Sequence, residues 1–433
     1  MTLKKLVGQV HLWLGLTSGL VVIILGITGC ILVFEKEIKS IVYSDIYYVD
    51  AAQNDSKPVS ELVKAAKNSL TGDLPITDIR IHPEQNRSVK FYAFKTNTEN
   101  GLWYWDTRKF FTLYVNPYTS NVLKVRNADF EFFFLIEQLH YSLLLKPTIG
   151  KPIIGTATII FIIMLITGLI LWWPKNKKAL KMNTWFQWKS DTKWRRKTYD
   201  LHNIVGFYSM FFVIFIALTG LVWAFEWFDN GVQWIANGGK TIKKERVEVR
   251  SFPTPFATTD PLDVAYHYLK NTHPEAKVFY LSIPQDSTGT IRSFVDYTDN
   301  RKDIILQFNQ YNGKLLHTGT SWEEKSNGEK VRAYNYDIHT GAVGGLVGKT
   351  IAFFLALFSA SLPVTGFMIW YDREKKKRRL MKTGGTGGAM KVEEDTDGKD
   401  QRMNRESATW QVVPKLKISS CSIKEESGGN VSV

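Results

Sequence analysis

Four histidines occupy matched places in the two halves of the chain. His11 opens the run His11, Gly15, Ser18, Val22, Gly26, Gly29 and Glu35, and His202 opens the run His202, Gly206, Ser209, Val213, Ala217, Gly220 and Glu226. The offsets from the histidine are +4, +7, +11, +15, +18 and +24 in both. On an α-helix the first five stay within about 60° of the histidine's direction. Each helix therefore has a face that begins with an imidazole and continues with mostly small residues. His140 and His339 form a second matched set, ten residues before Gly150-Lys151 and nine before Gly348-Lys349. Two imidazoles from facing helices are the axial ligand set of a porphyrin iron, and small residues on the same face leave room for a flat macrocycle. The pairs His11/His202 and His140/His339 are accordingly expected to hold haem iron, one haem near each membrane surface, with electrons crossing the bilayer in two steps. Plainer roles stand beside this one: an interfacial histidine also serves as a polar anchor, and a small-residue stripe as a helix-packing face. Zinc is the weaker metal reading, because no carboxylate or thiolate clusters near either pair and two ligands leave a structural zinc site open.

The elements that must position these histidines are membrane spans. Stretches at about 10–34, 152–173, 203–228 and 346–371 each hold roughly 20 or more largely apolar residues, enough to cross a hydrocarbon core of about 30 Å. The net charge of +14 collects at three places: Lys4 and Lys5 before the first stretch, a loop from Lys175 to Lys197 between the second and third, and Arg373 to Lys382 after the fourth. With four crossings all three fall on one side. That is the positive-inside pattern, which puts both termini in the cytoplasm and makes a nucleic-acid partner unnecessary. Arg195, Arg196 and Lys197 beside His202 are read as orienting charge, with pairing to haem propionates as the alternative. The first span is read as retained, since Phe34-Glu35-Lys36 is a poor cleavage site. Two cysteines, Cys30 and Cys421, give no disulfide framework, and without Cys-x-x-Cys-His there is no conventional covalent haem attachment.

Between the spans lie two segments of similar order. In the first, Ser60–Leu70 reads as an amphipathic helix, followed by strands at Ile76–Ile81, Val89–Phe94, Phe110–Val115 and Val122–Val125, and then by aromatic-rich Phe130–His140. In the second, a helix at Leu262–Lys270 precedes strands at Val278–Ile283, Ile291–Tyr297, Ile304–Phe308 and Leu315-Leu316. The second and fourth spans match as well: Gly150-Lys151 precedes Thr167-Gly168 by 17 residues, as Gly348-Lys349 precedes Thr365-Gly366. The chain reads as a duplication with parallel repeats. Trp103 and Trp105, with Tyr104, read as core or as a ligand surface. The stretch after about 383 is Gly-, Ser-, Lys- and Glu-rich and reads as disordered.

Several motifs resemble the PepSY-associated transmembrane proteins, which include bacterial ferric-siderophore reductases. They are His11-x-Trp13-x-Gly15 after a basic start, Asp200-Leu-His202-Asn-x-x-Gly206, Leu139-His140, Ile338-His339-Thr-Gly, and the turns Tyr114-Val-Asn-Pro-Tyr and Gln307-Phe-Asn-Gln-Tyr-Asn-Gly-Lys-Leu. The resemblance covers about 1–380. It implies an integral-membrane four-span α-helical bundle of two parallel repeats with two extracytoplasmic α+β PepSY-like domains. The expected divisions are a first span at 1–35, a domain at 36–139, a second span with its histidine segment at 140–174, a basic cytoplasmic loop at 175–201, a third span at 202–228, a second domain at 229–338, a fourth span with its histidine segment at 339–371, and a tail at 372–433. It further implies a bacterial inner-membrane oxidoreductase with two haem b groups on His11, His202, His140 and His339, with the large loops periplasmic. Such a protein passes electrons to a ferric siderophore or other ferric chelate for iron release. With no dinucleotide fingerprint in the cytoplasmic segments, the electrons would come from quinol or from a separate cytoplasmic reductase. The alternative from another class is a non-redox binding or regulatory protein whose PepSY-like domains restrain an extracytoplasmic partner. A permease is the least favoured, since no intramembrane charged relay is visible.

Overall fold

The computed structural model describes residues 2–51, 55–96, 101–242, 248–254, 259–298 and 300–383; the stretch after 383, with Cys421 and the expected disordered tail, lies outside them. In chain order the helices are α1 (Leu3–Val33), α2 (Glu35–Val42), α3 (Ser44–Tyr47), α4 (Val59–Asn68), α5 (Phe132–Ser142), α6 (Pro147–Trp172), α7 (Lys177–Thr184), α8 (Trp194–Asp200), α9 (Gly206–Ala224), α10 (Glu226–Ala236), α11 (Pro261–Thr272), α12 (Asn327–Thr340) and α13 (Gly345–Thr383). Four helical stretches are long and apolar enough to cross a membrane: Leu3–Val33, Pro147–Trp172, Trp194–Ala224 and Ala342–Met381.

The third stretch begins nine residues before the apolar run does. Its first turns are charged and tied by the Arg196–Asp200 pair at 2.9 Å, an i,i+4 contact that extends the helix where hydropathy is silent. One π-helical turn, Leu201–Val205, joins α8 to α9 and carries His202. Inside the bundle Val22, Phe161, Leu165, Met210, Val213 and Ala217 form a buried apolar cluster. Gly26 lets α1 approach α13 closely: a Cβ there would lie 2.7 Å from the Ala356 carbonyl oxygen.

Both extramembrane segments feed one antiparallel sheet. Its strands are β1 (Ile76–Ile81), β2 (Val89–Thr96), β3 (Arg108–Val115), β4 (Val122–Asn127), β5 (Val278–Ser282), β6 (Thr290–Asp296), β7 (Ile304–Asn309) and β8 (Leu315–Thr318). The order is β4-β3-β2-β1-β5-β6-β7-β8, so each segment contributes a four-stranded meander and the two join at β1 and β5. The seam is in register through Asp78/Ser282, Ile79/Leu281, Arg80/Tyr280 and Ile81/Phe279. Period-2 alternation makes one face apolar. Ile79, Phe91, Leu113, Leu281, Val295 and Phe308 line it and pack with Leu62 of α4 and Leu269 of α11 in one core. The helices also cross-cap: Asp263, in the first turn of α11, accepts hydrogen bonds from the Ser60 backbone N–H at 3.0 Å and the Ser60 hydroxyl at 2.5 Å. That serves the otherwise orphan N-terminus of α4, which has no side-chain cap of its own. The two expected domains therefore share a sheet and a core.

Candidate functional site

The four histidines meet as the two pairs expected from the sequence. The ring centroids of His11 and His202 lie 6.4 Å apart with planes at 85°, and those of His140 and His339 lie 6.2 Å apart at 71°. His11 sits on α1, His202 on the π turn before α9, His140 near the end of α5 and His339 near the end of α12.

Each imidazole rests in a threonine–glycine cradle on a neighbouring span. His11 Nδ1 is 2.9 Å from Thr167 Oγ1, His202 Nδ1 is 2.9 Å from Thr365 Oγ1, His140 Nδ1 is 2.8 Å from Thr28 Oγ1 and His339 Nδ1 is 3.0 Å from Thr219 Oγ1. The glycine after each threonine faces the same ring. A Cβ at Gly168 or Gly220 would lie 3.4 Å from Cε1 of His11 or His339; at Gly366 it would lie 3.3 Å from His202, and at Gly29 it would lie 3.7 Å from His140. Within each half the exchange is reciprocal: α1 gives a histidine to the cradle of α6 and offers its own cradle to the histidine that precedes α6. The same holds for the α9 and α13 spans. Thr-Gly dipeptides are visible in the sequence, but only the fold identifies these four as imidazole seats.

Hydrogen-bond bookkeeping fixes the tautomer. A hydroxyl has one proton to donate. Thr28, Thr167, Thr219 and Thr365 each give theirs to a backbone carbonyl one turn back, at 2.6 to 2.9 Å. With that proton so placed, each threonine oxygen accepts from the imidazole and Nδ1 carries the proton. For His339 a second acceptor, the Ile216 carbonyl at 3.1 Å, requires the same assignment. The lone pair of every ring is left on Nε2, and among the described residues nothing hydrogen-bonds to any of the four Nε2 atoms. Burial pushes His140 down to about 3, with the neighbouring His339 adding to the shift, and pushes His339 down to about 4. This outer pair is neutral at physiological pH.

Two acceptor nitrogens are all that each pair offers. Among the described residues no group of three or more His, Cys, Asp or Glu side chains is placed to hold a metal ion. The expectation of two haem b groups is corrected on this finding: among the described residues no side-chain cluster suited to holding haem or a metal ion is present. The charges flanking His202 are engaged elsewhere. Arg196 pairs with Asp200, and Arg195 pairs with Asp372 at 3.2 Å, which ties the basic loop to the end of the fourth span. Among the aromatics, Tyr104 is core, donating its hydroxyl to the Asp129 carbonyl, while Trp103 and Trp105 stack with centroids 5.3 Å apart and Trp103 stays exposed.

A second group of polar and aromatic side chains escaped the sequence reading. The face of the sheet away from the core carries a row across the strands: Tyr114, Lys90, Arg80, Tyr280 and Phe294 stand side by side by register. Its period-2 signal is plain in β2, where Lys90 and Tyr92 alternate with buried Val89, Phe91 and Ala93. Which strands lie side by side is not written in that alternation.

No curated protein compared with the chain matches it. The model of the PepSY-associated TM region family matches residues 9–373, which takes in the second and third spans, most of the first and fourth, the shared sheet and both histidine pairs, and the chain belongs to that family.

Proposed function

We propose that this protein is a PepSY-type binding and regulatory membrane protein of the bacterial inner membrane, whose sheet restrains an extracytoplasmic partner. The observation that carries the reading is the continuous eight-stranded sheet, built from both segments and held outside the bundle. Its two edges, β4 and β8, expose unpaired backbone groups of the kind that accept an added strand from a partner. Val125 and Leu316 are the apolar side chains exposed along them. The basic stretches around 175–197 and 373–376 lie at the same end of the bundle, joined by the Arg195–Asp372 pair, which supports cytoplasmic termini and a periplasmic sheet. The four histidines, in this reading, lock the bundle through their cradles and set the height of the sheet above the bilayer.

The reading as an oxidoreductase for a ferric siderophore stands behind it. That reading needs an electron carrier between a donor and the chelate, and the haems that were to supply it are the expectation corrected above. A photo-reactive residue at Val125 or Leu316 in intact cells tests the proposal. One recurrent extracytoplasmic protein, absent from a matched span position such as Ile170 and altered in activity when the sheet is deleted, supports it. A purified protein with a visible chromophore that responds to chemical reduction, and no crosslinked partner, overturns it.

A further inference from the structure

Arg80 and Lys90 are directly opposed on β1 and β2, near the centre of the sheet. Like charges facing each other across a strand pair repel, with Cβ atoms about 5 Å apart. Neither has a carboxylate partner among the described residues, and both are half-buried. Their neighbours are tyrosines. Lys90 Nζ lies 4.8 Å from the ring centre of Tyr92 and 5.4 Å from that of Tyr114, and the Arg80 guanidinium lies 5.2 Å from that of Tyr280. Arg80 Nε is buried with no hydrogen-bond partner. Tyr47 of α3 closes one side, with its ring 5.5 Å from Tyr114 and with Arg87 5.6 Å from its centre.

Most of the nearby carboxylates have other bonded partners. Glu35 and Glu131 hold Lys39 at 2.6 and 3.1 Å, Glu37 holds Lys349 at 2.5 Å, and Asp78 is bonded by the Ser282 hydroxyl at 2.6 Å. Asp296 lies within the field of Arg80 but shares it with Lys277 and Lys36. The patch is strongly positive. Burial and the charges of Arg80, Arg87 and Lys277 depress His82 to about 3, and burial lowers Lys90, with Lys39 and Arg80 adding to that shift. Phenol oxygens and ring faces soften such a field but carry no counter-charge. Two adjacent unpaired cations in a half-buried site are costly unless an anion joins them.

We propose that Arg80 and Lys90 form a binding site for a small oxyanion ligand, a carboxylate or phosphate, with Tyr92, Tyr114, Tyr280 and Tyr47 as its walls. The guanidinium supplies a planar fork of donors, the ammonium a point charge, and the phenols hydrogen bonds to the ligand's remaining oxygens. The site goes beyond the partner-binding reading: the charge argument holds whichever macromolecule the sheet engages.

The test uses the full chain purified in detergent, with thermal melting in citrate, in inorganic phosphate and in chloride at equal ionic strength. Saturable stabilisation by citrate or by phosphate beyond chloride is expected, and the better arm names the oxyanion. Arg80→Gln and Lys90→Gln are each expected to weaken it tenfold or more. Lys124→Gln, an exposed lysine opposite Tyr114 on β4, is expected to leave it unchanged. Equal effects of all three salts on the wild-type protein overturn the site without reference to any variant. So does full retention of oxyanion binding in the two Gln variants.

Discussion

The membrane half and the sheet half of this molecule treat their two segments differently. In the bundle the two segments are near copies at the level of single atoms. Four imidazoles sit in four Thr-Gly cradles, with Nδ1–Oγ1 distances between 2.8 and 3.0 Å and pair separations of 6.4 and 6.2 Å. In the sheet both segments give a four-stranded meander, yet the open faces diverge. The first segment puts Lys90 beside Arg80; the next two positions along the same row, in the second segment, are Tyr280 and Phe294. The difference separates two kinds of constraint. A buried polar ring has few partners to choose from, so an arrangement that satisfies it holds in both halves. A sheet face outside the membrane is free to differ, and that is where a ligand preference is written.

The comparison can be broken most strongly at the seam it rests on. Leu281 faces Ile79 across β1 and β5 and is fully buried. Leu281→Ala is expected to cost about 2–5 kcal/mol and to expose both meanders to limited proteolysis together. If only the second segment becomes sensitive, the sheet is two units rather than one.

The cradles come next. Thr167→Val and Thr365→Val each remove the threonine acceptor of a buried Nδ1–H, at about 1–3 kcal/mol. Equal losses in denaturant titrations of the detergent-solubilised protein are expected, and a loss confined to one variant would show that the halves are not equivalent. Asp263→Ala strips the cross-cap from α4, for about 1 kcal/mol. Its mark is faster amide exchange in the first turn of α4, in the other segment of the chain.

The smallest effect is a pH dependence that Asp303 contributes in the second segment. Burial lifts the Asp303 carboxyl to about 6, with Asp296 adding, against an accepted hydrogen bond from the Tyr297 N–H that lowers it. A carboxyl raised in the folded state favours its neutral form. Its contribution to stability is complete below the unfolded value near 4 and is lost as pH rises through about 6. Asp303→Asn is expected to flatten that part of the melting profile between pH 4 and 7. An unchanged profile would assign the dependence to another group.

Much of this molecule could be read from residue types and spacing. The four apolar runs, the strand from Ile76 to Ile81, and the pairing of His11 with His202 and of His140 with His339 all follow from periods that local sequence displays. Alternation in Val89–Thr96 separates a core face from an open one, because successive side chains on a strand must point opposite ways. Matched spacing was less informative about ligation. It brought the imidazoles together but did not supply the further ligands that a protein-held metal ion requires.

Tertiary structure decided the rest, and in each case the reason is a contact between residues far apart in the chain. Thr28 and His140 are separated by 112 positions, and nothing local marks that threonine as an acceptor rather than a helix-packing residue. The union of the two segments in one sheet depends on β1 meeting β5, two strands that read equally well as edges of separate domains. Arg80 and Lys90 become an adjacent pair of cations without a salt-bridge partner only when that register is set and Glu35, Glu37 and Asp78 have found other partners. The sequence determined which residues would be buried, because burial follows from period and polarity. The fold decided which buried groups would be left with an unmet charge or lone pair, because that depends on who the neighbours are.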